Sequence, residues 1–250
     1  MIKSTLKGNI AIVSNDLRID SVSTVVSQNA GCNFFGDIKG IPSLFVSHSF
    51  SCGLNAGSYG GRGGIGISDT KDDSLECIKN AFARMTVYGE PLLPMSSGST
   101  GSPYTIQEKN GFSPGAISII SDVFYLSADS KIFGGYTEEY KGTPASSGGS
   151  VSIIGKNITL NGRITANGQS TDKDVSGEGG GGRISLYKVC WWNSSNIASQ
   201  QYSFNTNMFE VAAGRRPEIG NEILRNDLKE YMSFIRAETG SRYFLISNRS

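Results

Sequence analysis

Asp122, Asp129, Asp172 and Asp174, with Arg163 or Arg183 as a basic partner, are the side chains that could cleave a polysaccharide. Glycoside hydrolysis needs two carboxyl groups about 5–9 Å apart. Strands stacked about 4.8 Å apart could supply them from equivalent positions of neighbouring repeats. No acid recurs at matching phase, because Asp122 aligns with Lys156 and Asp129 falls in a loop. Asp172, Asp174 and Glu178 cluster in one loop, and Asp69, Asp72 and Asp73 in another. Solvated loop acids are the ordinary reading of both, with weak Ca²⁺ binding as the alternative. His48 is the sole histidine, and no nucleophile motif accompanies it. Metal centres that need two histidines are therefore excluded, and a Ser-His-Asp site has no support. The sequence assigns no catalytic residue, metal ligand or cofactor.

Two stretches match G-x-G-x-x-G, at Gly61-x-Gly63-x-x-Gly66 and Gly177-x-Gly179-x-x-Gly182. A dinucleotide site requires a strand before this motif and a helix after it. The second runs straight into a strand pattern, and the first has no helix pattern after it. Tyr187, Trp191 and Trp192 could stack on a sugar ring, although large aromatics at the end of a repeat array more often plug it. Asn157, Asn193 and Asn248 stand in N-x-[ST] sequons and are glycosylation candidates. Cys32, Cys52, Cys77 and Cys190 are disulfide candidates with three pairings open, or buried free thiols.

The elements that must position these residues follow from a repeated phrase, a glycine run followed by alternating apolar residues. It occurs at Gly115–Ser121, Gly149–Gly155 and Gly182–Lys188, about 33 to 34 residues apart, and earlier at Gly8–Ser14. A fixed period in this range is the signature of a stacked repeat. Glycine is 32 of 250 residues, roughly 13% against a usual level of about 7%. Within each repeat the alternation predicts three short strands, as in 117–121, 123–126 and 131–135. Ile117, Ile119, Val151, Ile153, Ile184 and Leu186 are expected to face inward in ladders, and Ser118, Ser152 and Ser185 outward. Glycine at each strand entrance is expected for a positive φ or a close approach to the repeat beneath.

The predicted fold is all-β, a right-handed parallel β-helix with a C-terminal amphipathic helix as cap. Residues 1–189 form the β-helix, with irregular, loop-rich repeats at about 27–112 and a short helix over 72–82. Residues 190–250 form the cap or docking segment. It carries a helical apolar stripe over 217–238 and a last strand at 243–246. The formal net charge is +1, with no long charged run to suggest nucleic acid or an anionic membrane. No segment approaches the ~20 apolar residues that span a bilayer, and no signal-peptide core follows the N-terminus. A mature form or a fragment of a longer extracellular chain is expected.

The phrases Gly57-Ser-Tyr-Gly-Gly-Arg-Gly-Gly64, Tyr88-Gly-Glu-Pro91, Gly98-Ser99, Gly148-Gly-Ser-Val151 and Gly179-Gly-Gly-Gly-Arg-Ile184 occur in that order. Over about residues 8–188 this resembles the large glycine-rich, "GGGGRI"-containing β-solenoid surface proteins. The resemblance implies a pectin-lyase-like β-helix shape within an extracellular chain and no catalytic residues. The expected function is that of a non-catalytic structural segment of a surface fibrous or adhesive protein. It would act by self-association or docking into a larger assembly. The alternatives are a pectin-lyase-like polysaccharide-degrading enzyme and a glycan-binding module.

Overall fold

The computed structural model describes residues 4–31, 56–64, 87–90, 93–101, 113–137, 145–171, 177–189 and 208–212. Nine strands follow in chain order: β1 (Thr5–Lys7), β2 (Ile10–Ile19), β3 (Thr24–Val26), β4 (Ala116–Leu126), β5 (Lys131–Phe133), β6 (Ser150–Leu160), β7 (Arg163–Thr165), β8 (Arg183–Lys188) and β9 (Phe209–Glu210). They form two sheets. One has five strands in the order β1-β3-β5-β7-β9, and the other four in the order β2-β4-β6-β8. Every pairing is parallel.

The register of the four-stranded sheet follows the repeated phrase. Ile10 pairs with Ile117, Ile117 with Val151, and Val151 with Ile184. In the five-stranded sheet Val25, Ile132 and Ile164 form the corresponding row, ended by Leu6 and Phe209. Apolar side chains of both sheets meet in one core. Ile117, Ile119, Phe124, Val151, Ile153 and Ile164 are completely buried there. Burying the row removes apolar area from water on both sides of each inner strand, so stacking stabilises what a lone repeat cannot.

The expected β-helix with three strands per repeat and a helical cap is corrected. The stretches 117–121 and 123–126 are one strand, β4, paired along its length with β2 and β6. The apparent break is a change of face. Ile117, Ile119 and Ser121 are buried, then Phe124 and Leu126, so the alternation shifts by one residue around Asp122 while pairing continues. Each full repeat thus gives one strand of 10 or 11 residues and one of three. Among the described residues the result is two parallel sheets with linear strand orders and no closed barrel. No α-helix occurs among the described residues, and none there is long and apolar enough to cross a membrane. The helices expected over 72–82 and 217–238 and the strand over 243–246 lie outside the described residues.

The outward serines are also corrected. Ser152 and Ser185 are buried, and the Ser185 hydroxyl donates to that of Ser152 at 3.2 Å. Ser150, two residues before Ser152 and so on the same face, meets Tyr59 and Ser96. The described parts of the stretch between the first two repeats, around Tyr59 and Ser96, therefore lie against this face where β6 begins.

Close packing against that covering layer and against neighbouring repeats explains the glycines. The run 179–182 is extended chain outside any strand, yet it hydrogen-bonds to three different segments. Gly180 N donates to Gly57 O (2.9 Å), Gly182 N to Ala166 O (2.7 Å), and Gly180 O accepts from Gly148 N (2.8 Å). A β-strand has two lateral neighbours; this chain has three, at backbone-to-backbone distance. A Cβ at Gly182 would collide with the Gly149 carbonyl, and one at Gly179 with the Ser146 carbonyl. Close approach is thus the main reason for glycine here. Among described glycines only Gly8 and Gly89 take a left-handed φ, 151° and 80°.

Candidate functional site

Two regions hold groups that could serve a function: a tyrosine–arginine cluster under the covering layer, and the terminal edges of the two sheets. The cluster is built on β8 and β6. Arg183 begins β8, where its guanidinium lies 5.4 Å from the Tyr59 ring centroid. Its Nη2 donates to the Tyr88 carbonyl at 2.9 Å, while its Nε is buried without a hydrogen bond. The Tyr59 and Tyr88 rings lie 4.9 Å apart, tilted at 53°. Tyr59 is fully buried, with its phenol oxygen 2.5 Å from the Ser150 hydroxyl. The Ser150 proton goes to the Ser96 carbonyl at 2.5 Å, so the phenol is the donor to Ser150.

Burial pushes the Tyr59 phenol above its ordinary value of 10.0, against the opposing influence of the Arg183 charge. A raised value means that the unfolded chain loses this proton first as pH rises. The stabilisation is complete below about pH 10 and is lost as pH climbs through the folded-state value. Tyr59→Phe is expected to flatten this alkaline loss and to cost about 1 kcal/mol at neutral pH, since Ser150 keeps its carbonyl acceptor. Thermal unfolding against pH reads both effects. An alkaline slope identical to that of the native protein would show that Tyr59 is not the group concerned.

The sugar-stacking trio is only partly visible. Tyr187 on β8 is half-buried, and its phenol is raised by burial first and by Glu90 second. Trp191 and Trp192 lie outside the described residues, as do the sequon residues Asn193 and Asn248 and all four cysteines, Cys32, Cys52, Cys77 and Cys190. Asn157 is exposed on β6, opposite Val123.

Among the described residues, the candidates for polysaccharide cleavage are held in separate contacts. Asp122 is held by Lys156 across neighbouring strands at 2.7 Å, and Asp129 is exposed in the turn before β5. Arg163 pairs with Glu210, and Arg183 is committed to the tyrosines. Asp172 and Asp174, with Asp69, Asp72 and Asp73, lie outside the described residues. No group of three or more His, Cys, Asp or Glu side chains that could hold a metal occurs among the described residues.

Sequence reasoning missed the Tyr59–Tyr88–Arg183 cluster. Arg183 reaches the tyrosines from 95 positions beyond Tyr88, and neither tyrosine lies in a periodic segment. Arg183 carried the only signal, as a large cation placed between a glycine run and a strand.

The edges are simpler. Among the described residues β2 pairs only with β4, β8 only with β6, β1 only with β3 and β9 only with β7. β2 is the longest of these terminal strands. Ala11, Val13 and Asn15 are exposed along it, Val13 to 79%. A terminal strand of this length offers a row of backbone donors and acceptors to another chain. No family model, curated protein or solved structure matches this chain.

Proposed function

We propose that the chain is a non-catalytic structural segment of a fibrous or adhesive assembly, acting by self-association or partner docking at the ends of its strand stack. The observation that carries this reading is the pair of terminal strands β2 and β8, unpaired on one side among the described residues. The described members of the candidate cleaving set support it from the other direction. Asp122, Arg163 and Arg183 are each engaged in a contact that ties one repeat or layer to the next. A cleaving enzyme would instead leave a carboxyl pair facing substrate at the spacing its reaction requires.

The test is an activity panel combined with imaging. Purified protein incubated with acidic and neutral polysaccharides is expected to yield neither new reducing ends nor unsaturated products. Electron images of native material are expected to show particles joined to one another or to a partner through their ends. Turnover of any polysaccharide, or isolated compact particles with a deep acidic cleft, would overturn the proposal.

A further inference from the structure

The two sheets do not end level. Each strand of the four-stranded sheet is followed in the chain by one of the five-stranded sheet: β2 by β3, β4 by β5, β6 by β7 and β8 by β9. β1 breaks this series. It pairs with β3 on the side away from β5, and no strand of the four-stranded sheet accompanies it among the described residues. The five-stranded sheet therefore overhangs by one strand, and β2 is the terminal strand beside that overhang.

The register defines what fits there. A parallel strand added to β2 in the register of the sheet would continue the rows already present. Opposite Ile10 the rows hold Ile117, Val151 and Ile184; opposite Ile12 they hold Ile119, Ile153 and Leu186. Opposite Leu17 stand Phe124 and Ile158, and opposite Ile19 stand Leu126 and Leu160. Ala11 is matched throughout by serine. The core half of the added strand is thus apolar at four places, with a small residue beside the first.

A second copy does not fit directly. If β8 of one copy were seated on β2 of another in register, the second copy's β1 would fall at the level where β9 already pairs with β7. Two copies can follow one another only with one further strand between β8 and β2.

Resting on the docking function proposed above, we infer that the β2 edge accepts a single extended strand of a partner polypeptide, added in parallel. Backbone hydrogen bonds supply the attraction, and the Ile10, Ile12, Leu17 and Ile19 rows supply the register. The overhanging β1 is one strand deep, so one added strand brings the two sheets level.

The probe is a fluorescent synthetic peptide with the β6 sequence, Ser150–Leu160. In register its lysine falls opposite Asn15 and next to Asp16. Binding is read by anisotropy, and its location by hydrogen exchange with mass spectrometry. Saturable binding is expected, with exchange across residues 10–19 slowed about tenfold or more, because each newly bonded amide must open before it exchanges. Two further peptides carry N-methyl groups on alternate backbone nitrogens. In a parallel pair alternate residues bond to the same neighbour, so one of these peptides is expected to bind and the other to fail. Equal binding by both, no saturable binding, or protection confined to 183–188 would overturn strand addition at β2. Those outcomes leave the non-catalytic reading in place. Polysaccharide turnover would sink that reading without touching the exchange result.

Discussion

Gly182→Ala is expected to destabilise the protein by about 3 kcal/mol, at the upper end of what overpacking costs. The added methyl would meet the Gly149 carbonyl, with Gly148 C and Gly149 N both at 2.9 Å. None of these is the end of a flexible side chain. All belong to the run that enters β6, whose Gly148 amide is itself bonded to Gly180 O. Relief by moving that run would disturb the hydrogen bonds of Gly148 to Gly180 and of Gly149 to Gly134 and Arg183, which tie neighbouring repeats together. Gly181→Ala is the matched comparison. Its nearest neighbour is the Val211 Cγ1 methyl at 3.0 Å, which can give way, so a loss under about 1 kcal/mol is expected. Urea midpoints with unchanged m-values read the difference. Equal losses for the two variants would mean that the glycines serve only chain flexibility.

Phe124→Ala is expected to cost about 3–5 kcal/mol, the usual range for emptying a buried aromatic site. Phe124 is fully buried, with Leu17 and Ile158 as its register neighbours on β2 and β6. It stands just past the change of face at Asp122, where the chain turns its second apolar set into the core. Its loss leaves a cavity that neither parallel neighbour can close without shifting register. Val13→Ala on the exposed face of β2 should stay within about 0.5 kcal/mol. A small effect at Phe124 would place 123–126 on the outside of the sheet.

The parts of this architecture legible in the sequence are those held in place by pairing. The spacing from Ile117 to Val151 and Ile184 set the rows before any coordinates, because a one-residue slip would have turned every isoleucine outward. The acid at Asp122 aligned with Lys156, and the two are an ion pair. The strand count differs from the sequence expectation for a local reason. Alternation alone cannot tell a chain break from a change of face, and the loss of phase at Asp122 fits either. The covering layer was illegible because its contacts are backbone to backbone. Glycine runs carry no side-chain period, so nothing in 57–64 or 98–101 announces that it lies over β6 and β8. The buried serines follow from the same omission: Ser152 and Ser185 are polar on a face that nothing in the alternation marks as covered. The tyrosine–arginine cluster joins that layer to β8 and shared its invisibility.

The central claim is that the strand stack is closed in its interior and open at its β2 end. Hydrogen exchange of the free protein tests it most directly, strand by strand. The account expects β4 and β6, paired on both sides, to exchange slowest. In β2, about half of the amides should exchange about tenfold or more faster than those of β4, since alternate ones have no partner strand. Uniform protection of 10–19 at the level of 116–126 would contradict it, and would mean that this edge is already covered within the chain.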